Sequence, residues 1–294
     1  MTNGAGPEGD VTMRAPERWA GGAGTAARRS ARAALAVVLL LAGGASRARA
    51  QPDDVSALFA PGTVFSVGAL SGVGPRFQGA NRASLWGLPY LSFRRPGEAP
   101  EWWSPDDGLD ADLVETGPLR VGPVLDLRDG RSARDTRHVP DLPTVPLTVG
   151  LGLFGEVWLE RDTLRLRAEV TQGVRAHDGV LIKLAGDAIH RFGRFTLSGG
   201  PRLVLADAAS QRIDFGVPDR ALGLKPYDPR GGPRSAGLAA ALAYDWSDDW
   251  QTLVYGRYDR LLSAAAASPI VRRFGTVNQL SAGVGAIYSF RSPP

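Results

Sequence analysis

Several stretches of this chain alternate between apolar and polar side chains with a period of two. Residues 164–171 place Leu, Leu, Ala and Val on one face and Arg, Arg, Glu and Thr on the other. The same alternation recurs in 119–128, 180–188 and 194–205. Successive side chains of a β-strand point to opposite faces of its sheet, so this pattern predicts half-buried strands. About ten residues is also the length that a tilted strand needs to cross a bilayer.

A soluble β-sandwich shows similar alternation, but two further features favour a membrane barrel. The polar faces are rich in Arg, Glu and Asp, which suits a wet, charge-paired lumen. The connections also alternate between short turns (160–162, 191–193, 247–249) and long polar segments (129–145, 206–234, 263–277). Short turns at one end and long loops at the other are typical of outer-membrane barrels.

We therefore predict an all-β fold, a transmembrane antiparallel up-and-down β-barrel of about 12 strands. Merging the short third strand and omitting the weak first strand gives ten as the alternative, and eleven is disfavoured because bacterial single-chain barrels have even strand numbers. The predicted strands lie near 63–70, 84–94, 101–104, 109–116, 118–128, 147–160, 163–175, 179–191, 194–206, 235–246, 250–262 and 279–290.

The last predicted strand also carries a destination signal. Gly285, Tyr288 and Phe290 form the pattern Gly-x-x-aromatic-x-aromatic, which resembles the C-terminal signal read by the barrel-assembly machinery. Residues 291–294 follow the terminal aromatic residue, which normally ends the chain. The pattern predicts the cell outer membrane as the location, with its lipid and the barrel-assembly machinery as partners.

The first 50 residues read as a signal peptide with an extended n-region, and residues 51–294 as the barrel. A basic stretch at 28–32 precedes an apolar run at 33–42 that is too short to span a bilayer. Small residues at Ala48 and Ala50 predict signal cleavage before Gln51. Met13 offers an alternative start.

The net charge of +4 lies in this leader, since residues 51–294 hold 27 basic and 27 acidic side chains. No basic surface for nucleic acid remains, so we expect no nucleic-acid partner. The chain has no cysteine, which excludes disulfides, thiolate metal sites and cysteine nucleophiles.

Catalytic residue types are sparse. Of the three histidines, His138 and His177 fall in predicted external loops and His190 near the periplasmic rim. His177 with Asp178 and Asp207 could form a site on paper, but solvated loop residues are the simpler interpretation. No phosphate loop, metal-ligand cluster or nucleophile elbow occurs. We expect no enzyme, no cofactor and no metal.

The predicted lumen carries charges of both signs. They are Glu156, Arg165, Arg167, Glu169, Lys183, Asp187, Arg202, Arg257 and Asp259. These groups could line a solute path, or they could pair with one another and fill the lumen. The net-zero balance and the narrow width of a barrel of ten to twelve strands favour the filled lumen.

A family resemblance covers residues 62–290, where several short strings occur in order with fitting spacing: 88–91 (LPYL), 119–125 (LRVGPVL), 164–172 (LRLRAEVTQ), 198–201 (SGGP) before 206–207 (AD), 215–217 (FGV), 268–271 (SPIV) and 278–279 (NQ). With these strings the chain resembles the MipA/OmpV family of outer-membrane proteins, named for the MltA-interacting protein. Two segments depart from the family pattern, the acidic, Trp-bearing 101–115 and the Arg-rich loop after the fifth strand.

The resemblance implies a non-enzymatic scaffold that holds a murein transglycosylase and a murein polymerase together at the cell envelope, with contacts through the short turns and the barrel rim. The alternative is a narrow outer-membrane channel for small solutes. A third hypothesis, an outer-membrane enzyme that uses loop groups, would rest on His177.

Overall fold

The computed structural model describes residues 61–97, 101–135, 142–176 and 179–292. The predicted cleavage site at Ala48, Ala50 and Gln51 lies outside these residues, and so do His138, His177 and Asp178. None of the helices in the described ranges is long and apolar enough to cross a membrane.

Twelve strands and three short helices make up the described structure. The strands are β1 (Val64–Pro75), β2 (Ala83–Arg94), β3 (Leu109–Asp110), β4 (Val114–Thr116), β5 (Leu119–Arg128), β6 (Thr148–Glu160), β7 (Leu164–Arg175), β8 (Val180–Phe192), β9 (Phe195–Ala206), β10 (Gly232–Asp245), β11 (Trp250–Leu261) and β12 (Asn278–Arg291). The helices are α1 (Ala208–Phe215), α2 (Ser263–Ala267) and α3 (Pro269–Phe274).

All twelve strands belong to one antiparallel sheet that follows the chain order. Each strand from β5 to β12 pairs with the next, β12 pairs with β1, and β1 pairs with β2. The pairing of the last strand with the first, Phe290 opposite Phe65 for example, curls the sheet on itself. The sheet ends at β2 on one side and at β3 and β4, beside β5, on the other. The predicted all-β, antiparallel, twelve-stranded architecture is confirmed.

Two predicted strands differ from the structure. The segment 101–104 is not a strand, and 109–116 is split into the fragments β3 and β4. The reason is the acidic turn that follows Trp103, because its carboxylates bind arginines inside the sheet and draw the chain away from the wall. Ten long strands and two fragments therefore make up the twelve.

The outward face of the sheet is apolar along its length. Leu85, Leu238 and Leu280 are 81%, 61% and 70% exposed, although each lies within a long strand. At the end with the short turns, aromatic rings contact one another along this face. One chain of contacts runs through Phe65, Phe290, Tyr288 and Trp250, and another through Phe192, Phe195, Tyr244 and Trp246.

The two ends of the curled sheet differ in their connections. The short turns follow β6, β8 and β10, and Gly193 in the second of them has a φ of +59°, which a glycine adopts without strain. The long connections at the other end contain α1, α2 and α3, which pack on one another through Phe215, Ala265 and Val271, all buried. We call these three helices the loop cap.

The inner face is divided into an apolar half and a charged half. Leu70, Leu253, Tyr255 and Ile287 form a buried cluster on β1, β11 and β12. Arg165, Arg167 and Glu169 on β7 face inward on the opposite side and are also buried. Buried charges are costly unless they are paired. Each of these three side chains therefore needs a partner of opposite charge inside the sheet.

Candidate functional site

The segment 101–108, which we call the inner segment, runs inside the curled sheet between β2 and β3. Its centre is a turn in which the Asp107 amide donates to the Ser104 carbonyl at 3.0 Å. The Ser104 hydroxyl donates to Asp106 Oδ1 at 2.5 Å, which orients that carboxylate. Trp103 stacks on Tyr90 of β2 with ring centroids 4.7 Å apart. The turn thus presents two adjacent carboxylates to the charged half of the inner face.

Arg165 is the centre of the charged half and is only 1% exposed. Its guanidinium donates to both carboxylate oxygens of Asp107, at 2.8 and 3.1 Å. The same group donates to Glu156 on β6 at 3.0 Å and to Asp187 on β8 at 2.8 Å. The Trp102 ring lies 4.5 Å from the guanidinium carbon. One arginine therefore joins two neighbouring strands to the inner segment.

Asp106 forms the second attachment of the inner segment. It accepts from Arg202 Nε at 2.7 Å and from Arg257 Nη1 at 2.8 Å. Arg202 also donates to Asp187 at 2.7 Å, which connects this attachment to the Arg165 cluster. Charge-assisted bonds of this kind are stronger than neutral ones.

The remaining charges extend the cluster along β3, β5, β6, β7, β8 and β11. Arg167 donates to Glu169 at 2.9 Å and to Glu156 at 3.3 Å, and it pairs with Asp110. Lys183 pairs with Asp126 and lies 3.5 Å from Glu169, while Arg257 donates to Asp259 at 2.5 Å. We call the whole set the charge network: Asp106, Asp107, Asp110, Asp126, Glu156, Arg165, Arg167, Glu169, Lys183, Asp187, Arg202, Arg257 and Asp259.

The structure brings together all nine charges that the alternation placed in the lumen. Four members of the network were missed, of which Asp106 and Asp107 read as turn residues. A hint was present in the sequence, because the nine charges hold five basic and four acidic groups and leave one cation without a partner. Three of the four missing carboxylates lie in the acidic segment 101–115.

Little space remains around the network. The cavity beside Asp106, Lys183 and Arg257 has a volume of about 20 Å³, which is room for about one water molecule. The network and the inner segment together fill this level of the lumen.

A second cavity, which we call the vestibule, opens at the short-turn end. Its volume is about 580 Å³. Trp102, Trp103 and Pro105 of the inner segment line it together with Tyr90. The charged side chains that line it are Arg94, Glu101, Asp162, Arg191, Asp245, Asp248, Asp249 and Arg291.

A smaller ion-pair cluster fixes the loop cap to the sheet. Asp214 of α1 accepts from Arg128 at 2.9 Å and from Arg234 at 2.7 Å, and its carbonyl accepts from Arg131 at 2.7 Å. Burial alone would raise the pKa of Asp214, but Arg234 and Arg128 outweigh it and hold that pKa below its usual range. The carboxylate thus stays ionised between its arginines.

Of the residues considered for catalysis, the described part of the chain contains His190 and Asp207. His190 lies exposed on β8 and stacks on Phe192, 5.7 Å between centroids. Asp207 caps α1 and accepts from the Ser210 amide at 2.8 Å. Among the described residues, no group of three or more His, Asp or Glu side chains could hold a metal ion.

The ionisation of Asp106 determines how the inner segment responds to acid. Burial alone would raise the pKa of Asp106, but the guanidinium groups of Arg257 and Arg202 outweigh it and hold the pKa far below its ordinary range. A carboxyl with a lowered pKa stabilises the fold at pH values above its unfolded pKa of about 3.9, and this stabilisation is lost as the pH falls through the folded pKa.

We therefore expect the free energy of unfolding of the wild-type protein to depend more steeply on pH below about 3.9 than that of Asp106→Asn. Denaturant midpoints measured from pH 7 downwards for both proteins test this expectation. Asp219→Asn, which removes an exposed carboxyl on the loop-cap side, serves as the control and should keep the wild-type slope. If the free energies of unfolding of Asp106→Asn and the wild type depend equally on pH, the lowered pKa of Asp106 is contradicted.

Comparison with known proteins places the chain in a family. The family model described as MltA-interacting protein MipA matches residues 67–290, so the chain belongs to the MipA family. The chain is also similar to the solved structure of KdgM porin, with a TM-score of 0.35, 10% identity and coverage of 77% of this chain and 99% of that one. An outer membrane channel from Pseudomonas putida F1 gives a TM-score of 0.36 and 11% identity over 82% of this chain and 100% of the other. None of the curated proteins matches the chain.

Proposed function

We propose that this MipA family member is a non-enzymatic outer-membrane β-barrel with a filled lumen, and that its short-turn end is a scaffold for a murein transglycosylase and a murein polymerase. The observation that carries the proposal is the attachment of the inner segment to the charge network. Asp106 and Asp107 bind three arginines from three different strands. A lumen filled in this way serves a structural role better than it serves transport.

The outer face supports a location in the outer membrane. Its exposed leucines form a surface suited to lipid, and the aromatic contacts at the short-turn end resemble the girdle of a membrane interface. Gly285, Tyr288 and Phe290 lie on β12, the strand that pairs with β1, and Phe290 stacks on Phe65 at 5.8 Å. This is a fitting position for an assembly signal.

The family description and the orientation together suggest where partners would bind. In outer-membrane barrels the short turns face the periplasm, where murein enzymes work. The description of the matching family model refers to interaction with MltA. The turns after β6, β8 and β10 would supply the contact surface for such enzymes.

Capture from a periplasmic extract tests the scaffold. We expect the immobilised, folded barrel to retain a murein transglycosylase and a murein polymerase. Arg161→Glu reverses an exposed charge in the turn after β6, and it should weaken retention. Arg220→Glu makes the same change in an exposed residue on the loop-cap side and is the matched control. Absence of both enzymes from the retained fraction, or equal retention by the two variants, would refute the scaffold.

The channel remains the second candidate, and one observation favours it. The inner segment forms no strand over 101–108, so side-chain bonds rather than a ladder hold it in place. Release of such a segment would leave the strand pairing of the wall intact. Planar-bilayer recordings of the wild-type barrel distinguish the two functions, since the scaffold predicts no current above background and a channel predicts stable conductance steps.

A further inference from the structure

We infer that the vestibule is a binding site for a short peptide with free termini, a ligand that carries an ammonium and a carboxylate group. The inference concerns a small ligand inside the cavity and does not depend on the capture of murein enzymes at the turns. It rests on the size of the cavity, its aromatic lining and the arrangement of its unpaired charges.

The size and lining of the vestibule suit a ligand of a few residues. Its 580 Å³ volume lies within the range of about 300–1,000 Å³ that ligand pockets occupy. Trp102 is held by contacts on the lumen side, and Trp103 is held by its stacking on Tyr90. The Arg165 guanidinium lies 4.5 Å from the Trp102 ring, and Trp158 meets the same ring edge-on at 6.4 Å. These rigid rings offer an apolar surface to a ligand side chain without a large loss of conformational entropy.

Acidic groups occupy one part of the rim. Asp245, Asp248 and Asp249 belong to the end of β10 and the turn before β11. Asp245 accepts from the Gln251 amide at 2.8 Å. Within the described ranges, none of the three carboxylates forms an ion pair with an Arg or Lys side chain. They form an acidic arc that can receive an ammonium group.

Basic groups occupy the neighbouring part of the rim. Arg94 and Arg291 are the last residues of β2 and β12, and both belong to the set of inward-facing positions on their strands. Because β11 pairs with β12, and β1 lies between β12 and β2, this basic arc adjoins the acidic arc. No ion pair joins the two arcs in the described part of the chain. Charges of opposite sign thus line one cavity without neutralising each other.

This arrangement selects for the two ends of a peptide. A carboxylate binds a guanidinium through charge-assisted, often bidentate hydrogen bonds, and an ammonium group binds carboxylates as a compact charge. Apolar or aromatic side chains between the two ends would contact the tryptophans. A neutral saccharide could also stack on these rings, but it would leave both arcs without a counter-charge.

Calorimetric titration of the folded wild-type barrel in detergent tests the inference with the tripeptide Ala-Phe-Ala in four forms. We expect the form with both termini free to bind most tightly. N-acetylation and C-amidation should each lower the affinity by about tenfold or more, because each removes one charge-assisted contact. The doubly blocked form should bind weakest.

Variants then assign each end of the ligand to its arc. Asp248→Asn with Asp249→Asn should abolish the preference for a free amino end and keep the preference for a free carboxyl end. Arg94→Gln with Arg291→Gln should do the reverse. Asp219→Asn with Arg220→Gln neutralises two exposed charges on the loop-cap side and should behave as the wild type. Heat-modifiable gel migration shows that each variant is folded.

Three results would overturn the inference. They are equal binding of free and blocked peptides, a neutral N-acetylated disaccharide that binds as tightly as the free peptide, and no heat of binding at millimolar peptide. The capture experiment uses Arg161→Glu, a change outside the vestibule lining. Loss of enzyme capture therefore tests the scaffold alone, and loss of peptide binding tests the vestibule alone.

Discussion

Replacement of Arg165 by methionine is expected to lower the free energy of unfolding of this protein by about 3–5 kcal/mol. Arg165 is buried and donates to Asp107, Glu156 and Asp187. Without the guanidinium, these three carboxylates lose a counter-charge that they share in a nearly water-free interior, and part of the cost of burying them becomes uncompensated.

Denaturant unfolding of the detergent-folded protein, followed by tryptophan fluorescence, measures this effect. The control is Arg212→Met, because Arg212 pairs with Asp228 at 2.7 Å on the surface, where its side chain is 35% exposed. An exposed pair contributes about 0–1 kcal/mol, so the control should change stability little.

A compensated variant separates loss of charge balance from loss of packing. Adding Glu156→Gln and Asp187→Asn to Arg165→Met removes two of the stranded carboxylates, and it should recover part of the lost stability. Equal stability of Arg165→Met and Arg212→Met, or no recovery in the compensated variant, would show that the network does not support the fold as described.

The strands of the barrel wall could be predicted from the sequence, because each long strand shows a pattern that depends only on nearby residues. Alternation of side chains gives the two faces of β7 without any knowledge of its neighbours. The lengths of the connections gave the two ends of the barrel in the same way. Both signals depend only on residues close together in the chain, and long strands repeat them many times.

The position of the inner segment could not be predicted from the sequence, because its conformation depends on partners that are distant in the chain. Residues 101–104 are short and contain two tryptophans, which a strand also favours. What turns them inward is the bonding of Asp106 to Arg202 and Arg257, which are 96 and 151 residues away in the chain. The local pattern Ser-Pro-Asp-Asp-Gly indicates a turn, but it cannot indicate that the turn lies inside the sheet.

The vestibule follows from the same long-range arrangement. Trp102 and Trp103 line it only because the inner segment enters the lumen from the end of β2. The rim charges come from β2, β12 and the turn between β10 and β11, and the sheet order makes them neighbours. Neither the cavity nor its charge arcs were part of the sequence interpretation, which treated the short turns as a contact surface for partners.

The second large effect is expected from Asp106→Asn combined with Asp107→Asn, which should release the inner segment from the lumen. Both carboxylates are largely buried and together they bind Arg165, Arg202 and Arg257. Hydrogen bonds to charged groups contribute about 1.5–3 kcal/mol each. Loss of about 3 kcal/mol would raise the population of the released state by more than about 100-fold.

Two measurements follow this release at the two ends of the lumen. Acrylamide should quench Trp102 and Trp103 more strongly in the double variant than in the wild type. Ionic current requires the loop cap to open as well, so we expect conductance steps once Asp214→Asn also removes the attachment of α1 to Arg128 and Arg234.

The matched control for the conducting variant is Asp219→Asn with Asp228→Asn, two exposed carboxyls on the loop-cap side, which should leave quenching and current at wild-type values. If the triple variant folds, shows stronger quenching and carries no current, the charge network holds the inner segment but another barrier closes the lumen. If quenching does not change, the aspartates do not hold the segment. Because the wall strands keep their ladders in all these variants, a change in current reports on the contents of the barrel rather than on its assembly.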